Sequence, residues 1–209
     1  MPSNLTPIER TQTVMPSTPG WVNILAGGVP GVIAAYDFVN QLYWMQGNPS
    51  GGLTGNIIVD ANGLVSSSNI LSAKGAPFQL QTPGSMLVKM IGATNTTNGA
   101  IIGYGLIAFL SATGASQITA QTGGHAFHTT LGTGNLTGPT SIAASFDTSG
   151  RSLVANNGTL STDSNGGSLN TINYFGNTAG SRPVGGHIQS AVFWNIRLPD
   201  ATLQTLSTP

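Results

Sequence analysis

The sequence predicts an all-β fold, a β-sandwich of many short strands with one short helix near the C-terminus. Three observations lead to this prediction. Charged residues make up only 6 % of the 209 residues, while hydrophobic residues make up 39 %, so the chain can build a core despite its charge-poor surface. Glycine, serine, threonine and asparagine replace lysine and glutamate, which favours strands and turns over helices. The apolar runs are short and separated by turns, which is typical of a sandwich or, alternatively, a barrel.

The composition also excludes several classes of function. The six lysines and arginines are scattered and the formal net charge is zero, so no cationic cluster is present to neutralise nucleic-acid phosphates. The longest apolar run, residues 99–110, is shorter than the roughly 20 residues that a transmembrane helix needs. Residues 1–13 lack the pattern of a secretory signal, and the absence of cysteine excludes disulfides and thiolate catalysis. We therefore expect neither nucleic acid nor a membrane as a partner.

Residues 1–28 predict an extended, proline-rich N-terminal arm. Four prolines in this segment oppose a helix or a central strand and push the residues before them towards extended geometry. The segment is nevertheless too apolar for a linker, and we expect it to lie on its own domain or on a neighbouring subunit; a disordered terminus is the alternative. The side chains expected to bind the partner are Leu5, Ile8, Val14 and Trp21.

Residues 29–209 are expected to form the sandwich domain. Residues 32–40 and 42–46 predict its first two strands, and Asp60-Ala61-Asn62-Gly63 is typical of a hairpin turn. Residues 85–91 are mostly apolar on both faces, which predicts a strand in the middle of the sandwich. Residues 101–110 predict one further strand, with a bulge at its glycines.

The C-terminal third predicts a meander followed by a long strand and a helix. The meander consists of residues 141–147, 151–156 and 159–162, separated by short turns. The long strand, residues 187–196, is expected to place four apolar side chains on one face: Ile188, Val192, Trp194 and Ile196. Leu198-Pro199-Asp200 then opens the helix, with Leu203 and Leu206 on one side.

This third of the chain resembles the laminin-G/concanavalin-A-like jelly-roll superfamily. The matching pieces are residues 142–147, 152–158, 173–176, 186–195 and 197–206. Their pattern is a strand ending in an aspartate, a hairpin with Asn-Gly, a glycine before the return strand and a short helix containing leucine. The resemblance covers about residues 140–206. It implies a concanavalin-A-like jelly-roll β-sandwich.

A second resemblance lies upstream. Tyr36-Asp37-Phe38-Val39-Asn40, followed by Tyr43-Trp44, resembles the opening of such domains in tailed-phage virion proteins, which share the cysteine-free, charge-poor composition. This resemblance implies a non-enzymatic structural protein of the virion, which decorates or cements the capsid or forms part of the tail or fibre. It also implies other virion proteins as partners and a homo-oligomeric state.

Concanavalin-A-like folds include glycoside hydrolases, which need two carboxyl groups about 5–9.5 Å apart. The chain has a single glutamate, Glu9, which lies in the arm. The aspartates are isolated from one another in sequence: Asp37, Asp60, Asp147, Asp163 and Asp200. We therefore expect no catalytic residue and no enzymatic activity, and a pair of aspartates brought together by the fold is the alternative.

No metal or cofactor site is predicted. Asp147 is expected to cap the turn Thr148-Ser149-Gly150, with a calcium ligand as the alternative. His125 and His128 are three residues apart and would point to opposite faces of a strand. Gly103-Tyr104-Gly105-Leu106-Ile107-Ala108 has the spacing of a dinucleotide-binding fingerprint. Since neither a predicted helix nor a ribose-binding acid follows it, we expect no such site.

Aromatic side chains supply the alternative function, binding of a host-surface glycan. Tyr43 and Trp44 would point to opposite faces of their strand, so we expect one of the two rings to be exposed and able to stack on a sugar. Trp194 lies on the apolar face of its strand and is expected in the core. The sequence thus predicts a structural virion protein, with a carbohydrate-binding module as the alternative.

Overall fold

A computed structural model describes residues 17–47, 53–55, 58–66, 71–73, 82–104, 107–122, 125–166, 174–176 and 182–209. Its helices are α1 (Gly20–Leu25) and α2 (Asp200–Leu206). Its strands are β1 (Val32–Asp37), β2 (Leu42–Met45), β3 (Leu53–Gly55), β4 (Val59–Asp60), β5 (Gly63–Val65), β6 (Leu71–Ala73), β7 (Gly84–Ile91), β8 (Gly99–Tyr104), β9 (Ile107–Gly114), β10 (Gln117–Thr122), β11 (His125–Thr130), β12 (Thr140–Phe146), β13 (Arg151–Ala155), β14 (Ser161–Asp163), β15 (Tyr174–Phe175) and β16 (His187–Trp194). Within these residues, neither helix is long and apolar enough to cross a membrane.

Two antiparallel sheets form the sandwich, which confirms the predicted all-β fold. The larger, nine-stranded sheet has the order β14-β13-β12-β7-β16-β1-β2, with β4 and β5 attached at one end of β16. The smaller, five-stranded sheet has the order β11-β10-β9-β8-β15, and β3 and β6 pair separately. The predicted central strand is β7, which pairs with β12 on one side and with β16 on the other.

The main core lies between the two sheets, where strand alternation brings one face of each sheet inwards. Its aromatic centre is a cluster of Tyr36, Phe38, Tyr43, Phe175 and Phe193, with ring centroids 4.8–6.3 Å apart. Aromatic pairs at these distances stabilise a core beyond the area that they bury. This cluster joins β1, β2 and β16 of the larger sheet to β15 of the smaller one.

A second core lies on the outer face of the nine-stranded sheet, beneath the two helices. Helix α1 contacts β1 and β16, and helix α2 contacts β12 and β13. Trp44 and Trp194 from the sheet pack there with Val22 of α1 and Leu203 of α2. Helix α2 and its two leucines confirm the helix predicted at the C-terminus.

Helix α1 corrects the prediction that residues 1–28 are extended throughout. Residues 20–25 are helical, and Val22 and Ala26 are fully buried in the second core. Proline is compatible with this helix because Pro19 occupies the N-cap position, where no intrahelical N–H is lost. The end of the predicted arm is therefore part of the domain, and residues 1–16 lie outside the described residues.

Two further predictions are wrong in detail. Residues 101–110 do not form one strand, since they contribute to two antiparallel strands, β8 and β9. The four apolar side chains of residues 187–196 do not share a face, because an irregularity between Ile188 and Ser190 shifts the register of β16 against β7. Ile188 therefore faces the main core while Val192 and Trp194 face the second core, and Ile196 is 46 % exposed.

Candidate functional site

The candidate functional site is a groove between α1 and α2 on the outer face of the nine-stranded sheet. We call it the interhelical groove; it encloses about 150 Å³ and is lined by Ile24, Leu25, Gly27, Leu87, Lys89, Thr205, Leu206 and Thr208. The side chain of Ile24 is 79 % exposed at its rim. The two helices provide its walls, and β7 provides Leu87 and Lys89.

The groove exists because α1 and α2 meet at their C-terminal ends. Gly27 has a φ of +58°, and a Cβ atom there would lie 3.0 Å from Cδ2 of Leu206. Glycine adopts this left-handed conformation without a steric penalty and lets the chain leave α1 close to α2. The close approach at this end leaves the apolar walls accessible beside it.

Lys89 brings the positive charge of the groove. It lies on the same face of β7 as Leu87 and is in register with Ser141 of β12 and Ser190 of β16. Asp37 follows in the same row, opposite Ser190, but its carboxylate accepts hydrogen bonds from the backbone and side-chain nitrogens of Asn40, at 3.0 and 2.8 Å. Lys89 makes no ion pair with the described residues.

The residues predicted to bind a partner are only partly covered by the structure. Trp21 is half-buried and packs against the second core of its own domain. Leu5, Ile8 and Val14 lie outside the described residues, and their role as partner-binding residues stays a prediction.

Tyr43 and Trp44 point to opposite faces of β2 as predicted, but the expected exposure of one ring is wrong. Both side chains are only 6 % exposed, Tyr43 in the main core and Trp44 in the second core. The outer face of the sheet is covered by helices, so both faces of β2 are buried. Burial raises the pKa of Tyr43. Neither ring presents a face on which a sugar could stack.

Four of the described aspartates have structural partners: Asp37, Asp60, Asp147 and Asp163. Asp147 accepts hydrogen bonds from the amides of Ser149 and Gly150, at 2.7 and 2.9 Å, which confirms the predicted turn cap. It also forms an ion pair with Arg197 at 3.0 Å. The hydrogen bonds from Ser149, followed by those from Arg197, hold the pKa of the Asp147 carboxyl well below its usual range.

Two more aspartates pair with basic side chains. Asp60 accepts a hydrogen bond from the amide of Asn62 at 2.7 Å in the predicted hairpin turn and lies 2.8 Å from Nε2 of His187; these two contacts lower its pKa. Asp163 pairs at 2.7 Å with Arg151, whose side chain is only 1 % exposed. The described carboxylates thus stabilise turns and edges.

The outer face of the five-stranded sheet is polar. Leu110, Ala112, Ile118 and Ala120 face the main core, so the residues between them point outwards. These outward-pointing residues, which we call the polar face, are Ser111, Thr113, Gln117, Thr119, Gln121 and His128. Ser111 and Thr119 are nevertheless buried, at 9 % and 6 % exposed. The hydroxyl of Thr119 lies 2.7 Å from that of Thr113 and 2.6 Å from Nδ1 of His128. Both described helices lie on the other sheet.

The histidines do not assemble a metal site in the described part of the chain. His128 lies on the polar face and His187 pairs with Asp60 on the larger sheet. Among the described residues, no group of three or more histidine and carboxylate side chains could hold a metal ion.

The fold is similar to that of domains from carbohydrate-active proteins. Domain 4 of AbnA, a GH43 extracellular arabinanase from Geobacillus stearothermophilus solved in complex with arabinotriose, matches with a TM-score of 0.61 and 16 % identity, over 85 % of this chain and 98 % of that one. Trypanosoma rangeli sialidase in complex with a difluorinated KDN matches with a TM-score of 0.60 and 14 % identity, over 85 % of this chain.

These likenesses show a shared β-sandwich fold. This chain spans 32 % of the length of the sialidase chain that it matches. No protein-family model and no curated protein matches the sequence.

The sequence did not identify the interhelical groove. Its lining comes from α1, β7 and α2, which are far apart in the chain. One signal was present, since Lys89 interrupts a strand that is otherwise mostly apolar on both faces. A charged residue at a half-buried central position is uncommon unless it has a partner.

Proposed function

We propose that this chain is a non-catalytic structural module of a tailed-phage virion and that its N-terminal segment joins it to a neighbouring subunit. The observation that carries this proposal is the interhelical groove, whose lining mixes apolar side chains with Lys89 and two threonines. Ile24, 79 % exposed at its rim, lies on the helix that follows the apolar N-terminal residues. A surface of this kind beside an apolar segment is typical of a contact between subunits.

The roles of the carboxylates support the absence of catalysis. Asp147 and Asp163 are held in ion pairs with Arg197 and Arg151. Asp60 lies 2.8 Å from Nε2 of His187, and Asp37 is held by Asn40. A glycoside hydrolase needs one carboxyl group that donates a proton and a second that acts as nucleophile or base. Carboxylates whose oxygens already cap turns and neutralise arginines are poorly suited to either task.

The virion context is supported by the sequence resemblance of residues 36–44 to tailed-phage proteins and by the charge-poor composition. With 6 % charged residues, contacts between subunits depend on apolar burial and backbone pairing, so their strength varies little with salt. The proposed location is the virion, and the proposed partners are other virion proteins and further copies of this chain.

The test is to replace the chain in its phage by a version lacking residues 1–16. Those residues precede the described domain, so the truncated chain keeps α1 and both cores. We expect the truncated protein to be soluble and folded but absent from purified particles. A full-length chain with Asp200→Asn, a conservative change away from the groove, serves as a control that enters the particle. Normal incorporation of the truncated chain would contradict the proposal.

A second candidate function, glycan binding, is favoured by the polar face. The exposed imidazole of His128 is held there by the buried hydroxyl of Thr119, which also contacts Thr113. An imidazole held in this way is suited to a hydrogen bond with a sugar hydroxyl. Domain 4 of AbnA, which shares the fold, was solved in complex with arabinotriose.

Titration calorimetry with arabinotriose and a glycan array tests this candidate. If it is right, Thr119→Val together with His128→Ala abolishes saturable binding, whereas Tyr43→Phe leaves it unchanged because that ring is buried. A chain that binds no glycan in either assay contradicts it.

A further inference from the structure

Three basic side chains of the described domain lie against aspartates, whereas Lys89 does not. Arg151, Arg197 and His187 each have an aspartate within 3.0 Å. Lys89 makes no ion pair with the described residues, although it lies half-buried in the interhelical groove among apolar walls. A partly buried ammonium group gains from a carboxylate that neutralises it. The groove therefore suits an apolar ligand that carries one negative charge.

The N-terminal segment of the chain has this chemistry. Glu9 is the only glutamate of the protein and directly follows Ile8, with Leu5 and Pro7 just before it. The aspartates are engaged or positioned within the domain: Asp60, Asp147 and Asp163 in ion pairs, Asp37 with Asn40, and Asp200 in the first turn of α2. Glu9 is therefore the one acidic residue of the N-terminal segment, and Arg10 directly follows it.

The dimensions are also compatible. A cavity of about 150 Å³ accepts an apolar group about the size of benzene, and a branched aliphatic side chain such as that of Ile8 is of this order. Ser17 is the first described residue of the domain. The eight residue steps from Ser17 to Glu9 span at most about 25–30 Å when extended, which is long enough to reach an adjoining domain.

We propose that the interhelical groove is the receptor for residues 5–9 of a second copy of this chain. Ile8 packs between Ile24 and Leu206, and the carboxylate of Glu9 pairs with Lys89. The inference rests on the proposed function in one respect, the choice of a neighbouring subunit as the source of the segment. It names the surface that receives the segment and the residues that recognise it.

Disulfide trapping tests the placement directly, because the chain has no cysteine of its own. Chains carrying Glu9→Cys are mixed with chains carrying Thr205→Cys, which lines the groove beside Lys89. We expect a disulfide-linked dimer that contains one chain of each kind. Gln121→Cys on the polar face serves as the control and is expected to give at most one tenth of that yield.

Two results would overturn the proposal. Equal yields of disulfide-linked dimer from Thr205→Cys and from Gln121→Cys, each mixed with Glu9→Cys, mean that the segment does not bind the groove preferentially. The second result is an intramolecular disulfide in a chain that carries both Glu9→Cys and Thr205→Cys, with no dimer from the mixture of single variants. It means that the segment binds its own domain.

Charge reversal provides the second test, with self-association measured by sedimentation. Lys89→Glu and Glu9→Lys are each expected to weaken self-association about fivefold, the effect of one partly exposed ion pair, and the double variant is expected to regain most of the loss. Lys74→Glu, at the other lysine of the chain, is the control.

The two proposals fail in different ways. If deletion of residues 1–16 abolishes self-association while neither the trapping nor the charge reversal points to the groove, the receptor assignment is wrong and the proposed function stands. If the chain lacking residues 1–16 enters the particle normally, the proposed function fails as well.

Discussion

Asp147 holds the turn between β12 and β13 with a single carboxylate. It accepts hydrogen bonds from Ser149 and Gly150 and pairs with Arg197, so it joins the meander to the segment that leads into α2. The folded-state pKa is lowered below the usual value of 3.8. A carboxyl group of this kind stabilises the fold above its unfolded-state pKa, and the stabilisation is lost as the pH falls towards the folded-state pKa.

We expect Asp147→Asn to lower the free energy of unfolding by about 1 kcal/mol at pH 7, the cost of weakened hydrogen bonds at a cap. The free energies of unfolding of the variant and the natural chain should converge as the pH falls below about 4. In that range the carboxylate of the natural chain takes up a proton on unfolding, which favours the unfolded state. Urea denaturation between pH 7 and pH 2.5 measures both. Asp200→Asn is the matched control, since Asp200 lies in the first turn of α2 and makes no ion pair with the described residues. An equal loss of unfolding free energy in the two variants would contradict this account.

Arg151 is a second residue on which stability depends. Its guanidinium lies 4.4 Å from the centroid of Phe127 and 2.7 Å from Asp163, where it joins the edge of the larger sheet to β11 of the smaller one. Cation–π contact and a carboxylate together offset the cost of burying the charge.

Asp163→Asn is expected to destabilise the fold by about 2–3 kcal/mol, because it removes the carboxylate that neutralises a buried guanidinium; the value is below that for a fully buried pair since Asp163 is 15 % exposed. Arg151→Met keeps an apolar side chain over Phe127 and should lower the free energy of unfolding by less than Asp163→Asn does. The double variant should be more stable than Asp163→Asn alone. A double-mutant cycle by urea denaturation measures the coupling, and additive effects would refute it.

At the scale of elements, the contact between α1 and α2 depends on the two glycines that follow α1. Gly27 and Gly28 both have positive φ, at +58° and +77°. A Cβ on Gly27 would meet Leu206 at 3.0 Å, whereas a Cβ on Gly28 would meet nothing within 4 Å.

Gly27→Ala and Gly28→Ala therefore separate backbone strain from helix contact. Each should lose about 1 kcal/mol from placing alanine in a left-handed conformation, and Gly27→Ala should lose roughly 1 kcal/mol more by pushing Leu206 away. Thermal unfolding of the two variants gives the comparison. Equal melting temperatures would show that the helices do not press on each other at this point.

Elements that follow from local sequence could be predicted, and elements that depend on distant contacts could not. The meander of β12–β14 and the hairpin at Asp60 carry their own turn residues, and the structure confirms them. Helix α1 has weak local signals, since it is six residues long and is stabilised by packing of Val22 on the sheet. The register shift in β16 also has no local sequence signal. For this reason the prediction that Ile188 and Val192 share a face of the strand is wrong.

At the scale of the whole molecule, the sandwich has two cores, and the N-terminal end of the described chain closes the second one. Val22 and Ala26 are fully buried there, and Nε1 of Trp194 lies 3.4 Å from the carbonyl oxygen of Val29. The boundary of the domain therefore lies before α1, and the arm that could reach a partner is shorter than the sequence predicted.

Two truncations test this boundary. Removal of residues 1–16 should leave the free energy of unfolding unchanged within about 0.5 kcal/mol. Removal of residues 1–28 should lower it by at least about 3 kcal/mol, since it uncovers Trp44 and Trp194 and deletes the buried Val22. Urea denaturation followed by the fluorescence of these two tryptophans measures the difference. Equal stabilities would show that α1 does not belong to the fold.

The candidate site was less predictable than the fold for the same physical reason. The all-β class follows from composition and turn spacing, which are properties of short stretches. The interhelical groove requires Ile24, Lys89 and Leu206 to come together across more than 180 residues of chain. The glycan-stacking prediction for Tyr43 and Trp44 is wrong because no local pattern indicates that helices cover the second face of their sheet.

Sedimentation equilibrium of the full chain beside the chain lacking residues 1–16 tests the central claim most directly. If the N-terminal segment joins neighbouring subunits, the full chain is a reversible oligomer and the shortened chain is a folded monomer. The association constant of the full chain falls by no more than about fivefold between low and high salt, the contribution of one ion pair. A full chain that stays monomeric at every concentration, or a shortened chain that associates equally well, would contradict the claim.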